Sequence, residues 1–399
     1  MNENMYSRDD ARTAGCGEFM RVWRLALMAV LAAMLSVAAA GCRGGDGGSG
    51  TDAARNDSGA GNLMEEARLL RMTDGDGFVM AEVVNPWDTT RLLGRYLLVE
   101  RGVEPDSLPG GEYERIEVPV ERALVFSSVH GGVISELGAG GRIAGVADGG
   151  YFTREPLAGR IRRGEVRDVG SSMAPSVEAV VALGPDVMLV SPFENAGHGA
   201  LEQTGVPVVE CADYMEATPK GRAEWVRILG VLFGERARAD SLYRSVSAAY
   251  DSIAADAAES GSHPLVLTEQ LQDGYWFVPG GRSYMARLIC DAGGRYPWAD
   301  NEEAGSLQLD FSSVYARAGD ADVWLIRSFG HETSLDDLRG MFQLNSQFKA
   351  FKNGNVWVAN TAEVPLYDEF PFHPEFLLEE YARIFSGKAD GLRYFRRAR

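Results

Sequence analysis

Four cysteines in 399 residues are too few to staple a fold, which excludes a disulfide scaffold and leaves the core to apolar packing. Positive charge is also scarce: 39 Lys and Arg stand against 57 Asp and Glu, a formal net charge of −18. That balance excludes nucleic acid as partner, because phosphate binding needs a basic face. No G-x-S-x-G occurs, so there is no nucleophile elbow, and Ser127, Ser128 and His130 are neighbours on one loop rather than a triad. The histidines His130, His198, His263, His331 and His373 include no H-x-H or H-x-x-x-H pair of the kind that builds a metal cage. Gly138, Gly140 and Gly141 follow a helical pattern, and Ile143 stands where a dinucleotide loop needs its third glycine, so that motif fails as well. Nothing here points to an enzyme.

Long apolar runs are missing too. Leu25 to Ala40 falls short of the roughly 20 residues that cross a bilayer. With Arg21 and Arg24 before it and Ala39-Ala40-Gly41-Cys42 after it, the run reads as a secretory signal over residues 1–41. The cysteine after small residues resembles a lipobox, which would make Cys42 a lipidation site although Ala39 replaces the usual leucine. Residues 1–19 are long and acidic for such a leader, and Met20 offers a tidier start. Residues 42–62, rich in Gly, Ser, Asp and Ala, cannot bury a core and predict a flexible tether.

What the chain does have is alternation. Residues 63–118 read as a small β-rich, antiparallel extension, with a hairpin signal at Asp74-Gly75-Asp76-Gly77. From 119 to 234 short apolar runs (Ala123-Leu-Val-Phe-Ser-Ser128, Arg142-Ile-Ala-Gly-Val-Ala147, Val187-Met-Leu-Val190) alternate with helical patterns at Val133–Leu137 and Val177–Leu183. Such order predicts an α/β fold with a parallel sheet, whose ligands sit beyond the strand C-termini. Ser127, Asp148, Ser171 and Ser191 stand at those ends. A helix begins at Thr218-Pro219 and closes at Gly234. Residues 235–260 form one long helical pattern, with Leu242, Val246, Ala249, Ile253 and Ala257 on one face. A second α/β pattern fills 261–399, with strands at Pro264–Gln270, Val323–Ile326 and Val356–Val358. Its helices are expected at Ser283–Ala292, Phe311–Ala318, Leu335–Gly340 and Pro374–Phe385.

The pieces "PVERALVFSSVHGGVISELG", "RIAGVADGGYF", "DVGSSMAPSVEAVVALGPDVMLVSP" and "GVPVVECADYMEATPKGRAEW" resemble the solute-binding proteins of ABC importers for cobalamin, haem and iron–siderophore complexes. Gly170, Pro175, Glu178, Leu183, Pro185 and Asp186 fit the signature of that family, and "YWFVPGGRSYMARLICDAGGRYPWAD" and "DADVWLI" extend the likeness. The resemblance implies two α/β lobes joined by one long backbone helix, a cargo held between them, and delivery to an ABC permease. It also implies an exported, periplasmic, lipid-anchored monomer without cofactor or catalysis. Glu178 matches the first-lobe carboxylate that docks on an arginine pocket of the permease. The second-lobe counterpart is Ser312 here, so Asp310, or Glu302 or Glu303, would have to take its place.

Aromatic side chains at expected loops are the candidate ligand contacts: Tyr151, Phe152, Phe193 and Tyr214 in the first lobe, and Tyr275, Trp276, Tyr296, Trp298, Phe329, Tyr367, Phe370 and Phe372 in the second. Flat faces of this kind suit a corrin, a porphyrin or a catecholate complex. Ser128 joins them, and Arg154, Arg282 and Arg327 are candidate anion contacts. A zinc or manganese receptor on the same fold is the alternative, in which histidines would combine with carboxylates. Cys211 and Cys290 read as buried thiols.

Overall fold

The computed structural model describes residues 61–330 and 333–399. The expected leader, Cys42, most of the expected tether and His331 therefore lie outside the described residues.

The extension is a four-stranded sheet in the order β1-β2-β3-β4. β1 (Leu70–Gly75), β2 (Phe78–Val84) and β3 (Leu92–Glu100) form an antiparallel meander, turning at Gly77 with φ of +77°. β4 (Glu114–Val118) corrects the expectation of a purely antiparallel unit, because it pairs with β3 in parallel. The connection over residues 101–113 carries the chain back to the starting end of β3, which a hairpin cannot do.

Two buried glutamates fasten this sheet to the first lobe. Glu224, fully buried, accepts from the backbone N–H groups of Glu65, Glu66 and Ala67 at 2.8–3.1 Å, and pairs with Arg227. Glu216 accepts from Arg68 and Leu69 N–H and from the Trp225 indole. Burial pushes the Glu216 carboxyl up, against the pull of those donors. The Tyr96 hydroxyl accepts from Glu210 N–H, a third tie.

The first lobe follows: β5 (Ala123–Val125), α1 (Ser128–Glu136), β6 (Ile143–Val146), α2 (Leu157–Arg162), β7 (Arg167–Asp168), α3 (Val177–Leu183), β8 (Val187–Val190) and β9 (Val208–Glu210). The five strands are parallel in the order β7-β6-β5-β8-β9. β5 and β8 are buried at every residue, as strands covered on both faces must be. Direction of progress reverses at β5, so the crevice between the ends of β5 and β8 is the switch point where such sheets take ligands.

α4 (Pro219–Glu224) and α5 (Val226–Phe233) follow, separated at Trp225 where one continuous helix was expected. Thr218 caps the first through Gly221 N–H, and Gly234 ends the second in left-handed backbone. α6 (Arg236–Glu259) then runs for 24 residues, about 36 Å at 1.5 Å per residue. Its buried stripe is Ala239, Tyr243, Val246, Tyr250 and Ala257. Tyr243 and Val246 belong to the first core, and Tyr250 to the second. One helix thus passes from one lobe into the other.

The second lobe is built on β10 (Val266–Thr268), β14 (Val323–Ser328) and β15 (Val356–Asn360), which are parallel, with β16 (Arg396–Arg397) antiparallel at the edge. A separate antiparallel sheet of β11 (Leu271–Gln272), β12 (Tyr275–Pro279) and β13 (Ser306–Leu309) was not anticipated. Helices α7 (Tyr284–Asp291), α8 (Phe311–Ala318), α9 (Leu335–Met341), α10 (Lys349–Lys352), α11 (Leu366–Glu369) and α12 (Pro374–Phe385) complete it. Among the described residues no helix is long and apolar enough to cross a membrane.

Candidate functional site

The lobes meet where α1 packs on α11 and α4 on α7. Two residues at these ends, Asp148 after β6 and Glu269 after β10, hold left-handed backbone with φ of 50° and 63°. Residues other than glycine stay there only where their surroundings fix them. Asp148 does so by accepting from Ser172 N–H, which ties the loop after β6 to the loop after β7. Ser171 sits on that second loop, exposed, its hydroxyl accepting from Met173 N–H.

A run of polar and aromatic contacts forms the floor. His130 Nε2 meets Asp213 Oδ1 at 2.9 Å, and Arg222 Nε donates to Asp213 Oδ2 at 3.1 Å. Arg222 Nη1 then crosses to the second lobe and donates to Tyr284 Oη at 3.0 Å. Tyr284 stacks on Phe370 at 5.9 Å, Phe370 meets Tyr367 at 6.1 Å, and the Arg327 guanidinium lies 5.9 Å from the Tyr367 ring. Arg327 ends the run in an ion pair with Glu269. Burial opposes the charge on Asp213, but His130 and Arg222 outweigh it and hold the carboxyl below its usual range. Burial likewise opposes the charge on Arg327, and Glu269 overrides it. The floor is ionic and shared by both lobes.

Two cavities flank α1. One, about 220 Å³, lies at the switch point and is lined by Ser127, Val129, His130, Ser191, Phe193, Asp213, Tyr214 and Arg222. The other, about 410 Å³, lies between the lobes and is lined by Ser128, Phe152, Arg154, Asp368, Glu369, His373 and Arg393 among others. Around it the lobes are pinned together. Ser128 Oγ donates to Asp368 at 2.8 Å, and Arg154 reaches Glu369 at 3.5 Å. His373 bridges Glu136 of the first lobe and Glu375 of the second at 3.0 and 2.9 Å. Phe372, from the second lobe, is buried in the first core.

The expected ligand contacts divide by burial. Tyr151, Phe193, Tyr275 and Phe329 are exposed, at 54, 56, 48 and 70 %. Tyr151 and Phe193 follow β6 and β8, Phe329 follows β14, and Tyr275 lies on the hairpin after β10. Tyr214 is half-buried, its hydroxyl donates to Pro192 O, and burial pushes it up to about 12. Trp276, Tyr296 and Trp298 are corrections: all three are buried in the second core. β12 alternates, so Tyr275 faces out and Trp276 in, against Trp324 and Phe348 at 5.7 and 5.6 Å. Tyr296 donates to Pro279 O and packs edge-on against Trp298 at 5.6 Å. None of these three offers a flat face to a ligand. Phe152, Phe370 and Phe372 are buried as well.

Arg282 is exposed and paired with Glu302. Glu178 is exposed in the first turn of α3, behind the cap Ser176. Asp310 is exposed but caps α8, accepting from Ser313 N–H at 2.7 Å. Cys211 is buried, whereas Cys290 is exposed, against expectation. His198 pairs with Glu210, and His263 with the carbonyl of Gly293. Among the described residues no group of three or more His, Cys, Asp and Glu could hold a metal ion.

Asp213, Arg222, Tyr284, Asp368 and Glu369 escaped the sequence reading. One signal was available for Arg222. It sits with Glu224 and Arg227 in a helical pair whose other faces are apolar, and charges in such a place demand buried partners.

Comparison with known proteins agrees with this architecture. An uncharacterized lipoprotein of Methanocaldococcus jannaschii is 26 % identical over 263 residues, which is 62 % of this chain and 61 % of that relative, so the chain matches well under two thirds of the relative's length. A possible iron-binding, periplasmic solute-binding protein of Staphylococcus epidermidis superposes with a TM-score of 0.54 at 15 % identity, over 67 % of this chain and 98 % of that one. The periplasmic vitamin B12 binding protein of Vibrio cholerae superposes with a TM-score of 0.51 at 16 % identity, over 68 % of this chain and 99 % of that one. Such low identities speak for the fold alone. The sequence of residues 128–361 matches the family described as periplasmic binding protein, and with its two α/β lobes the chain belongs to that family.

Proposed function

We propose that the chain is an extracytoplasmic lipoprotein that binds cobalamin or an iron complex, siderophore or haem, between its lobes and delivers it to an ABC importer. The observation that carries this reading is the set of exposed aromatics, Tyr151, Phe193 and Phe329, that follow β6, β8 and β14, with Phe193 lining a cavity together with the paired charges of Asp213 and Arg222. Large apolar side chains held in water beside a cleft mark a ligand surface. The iron and vitamin B12 proteins of the same fold support the cargo class. The lipobox at Cys42 and the lipoprotein relative support the anchor. Glu178, on an exposed first turn, is the permease contact of the first lobe. Asp310 is its second-lobe partner, with its N-cap bond retained. The protein works as a monomer at the membrane.

Calorimetric titration of the full-length chain in detergent tests the reading, with cyanocobalamin, haemin, a panel of ferric siderophores and zinc. Saturable binding of one large ligand at submicromolar concentration is the expected result. Binding of zinc alone, or of nothing in the panel, refutes it.

A further inference from the structure

We infer that the cavity at the switch point of the first-lobe sheet is an oxyanion subsite, which takes a carboxylate or phosphate group carried by the cargo. The inference rests on the cargo-binding reading above and narrows it to anion-bearing ligands. The volume of about 220 Å³ suits one such group and is below the 300 Å³ or so at which pockets for whole organic ligands begin.

The donors come from three directions. α1 is nine residues long and points its N-terminus here, with Ser127 and Val129 lining the cavity. Ser127 is the N-cap, yet its side chain makes no cap bond, and no acidic residue stands in the first turn. The first-turn amides of α1 therefore have no side-chain cap, and the nearby carboxylates Asp213 and Asp368 meet the side chains of His130 and Ser128 instead. Ser191, across the crevice at the end of β8, lines the same cavity.

Buried charge is the second, independent observation. Arg222 and His130 are 8 % and 3 % exposed and both line the cavity. They share one carboxylate, Asp213, whose two oxygens already accept, Oδ1 from His130 and Oδ2 from Arg222. Arg222 spends Nε on Asp213 and Nη1 on Tyr284. The fork has a further nitrogen, Nη2, for which the described residues supply no acceptor. His130 keeps a buried Nδ1 without any partner. One arm of the Arg222 fork is thus left for a second acceptor. A carboxylate or phosphate fills that place, accepting from Nη2, the serine hydroxyls and the α1 amides. Phe193, exposed at the rim, adds an apolar wall. The combination fits a ligand with a flat body and an anionic arm.

Calorimetry of the full-length chain in detergent, titrated with sodium phosphate and with sodium citrate, reads the subsite without knowledge of the cargo. The wild type should bind at least one of them saturably. Ser127→Asp should fold at least as stably, since aspartate is a good N-cap, while its own carboxylate occupies the same amides. It should weaken anion binding about tenfold or more, the scale of a lost charge-assisted hydrogen bond. Arg222→Lys keeps the charge against Asp213 but loses the fork, and should weaken binding similarly. Failure of the wild type to bind either anion, or unchanged binding in Ser127→Asp with a native melting curve, overturns the subsite. Displacement of phosphate by the bound cargo supports the cargo as source of the anion, and simultaneous occupancy by both refutes it. Phosphate binding with no response to any cargo would sink the cargo reading while leaving the oxyanion site standing.

Discussion

Glu224→Gln isolates the fastening of the extension. The side chain is fully buried and gives the amides of Glu65, Glu66 and Ala67 their acceptors. It also faces Arg227. The glutamine is isosteric and keeps one carbonyl oxygen, so the cavity stays filled and at least one acceptor remains. What is lost is charge. Hydrogen bonds to a charged group contribute about 1.5–3 kcal/mol each, against about 1 for neutral ones. Three amides therefore lose roughly 1.5–6 kcal/mol in total on that comparison. Arg227 does not become an orphan, since Glu65 and Asp240 stay within 2.9 and 3.0 Å. This removes most of the 3–5 kcal/mol that a broken buried pair would add. We expect a net loss of about 2–3 kcal/mol, local to residues 65–69. Native-state hydrogen exchange reads it directly: those amides should exchange roughly 30- to 150-fold faster, at 1.4 kcal/mol per decade. Amides of β5 and β8 should not change. Protection at residues 65–67 that survives within threefold would refute the claim that a charged carboxylate holds this segment.

His373 lies between Glu136 and Glu375; burial lowers its affinity for a proton, but the two carboxylates override that and raise it to about 9. A folded-state value above the ordinary 6.5 means stabilisation that is complete below about pH 6.5 and lost as pH rises through about 9, on the order of 3 kcal/mol. Melting temperatures of wild type and His373→Gln at pH 6.5 and 9.5 should converge at the higher pH, and a constant difference contradicts the assignment. Trp276→Ala should cost about 3–5 kcal/mol of stability as a core truncation. Phe193→Ala and Phe329→Ala should leave the melting curve within about 0.5 kcal/mol and weaken cargo binding; the opposite pattern in calorimetry would return Trp276 to the cleft. Glu178→Lys should leave cargo affinity untouched and abolish uptake in reconstituted vesicles, whereas full uptake would remove this residue from the permease contact.

The parallel sheet was legible because its strands are covered on both faces and so read as unbroken apolar runs between turn signals. α3 shows how local that information is. Ser176 caps it, Gly184 ends it with φ of 56°, and its bounds at Val177 and Leu183 match the expected ones. β12 shows the opposite. Its aromatics were assigned to a loop, although the alternation of Tyr275, Trp276, Phe277 and Val278 was present to be read as a strand with one buried face. The second sheet was lost with it, and with that sheet the burial of Trp276. The floor and the contacts that pin the lobes were illegible for a different reason. Ser128 and Asp368 are 240 residues apart, and Arg222 meets Tyr284 across a lobe boundary. No periodicity encodes a pair that exists only after two lobes have folded against each other.

The helix α6 has a consequence for how this molecule comes apart. Tyr243 is held in one core and Tyr250 in the other, seven residues and about 10 Å along the rod. Unwinding the two turns between them loosens both cores at once. Neither lobe therefore owns a complete interior, and a cut through α6 would leave each fragment with a frayed helix and an unfilled aromatic socket. The shared rod predicts that the two lobes unfold in a single transition rather than one after the other.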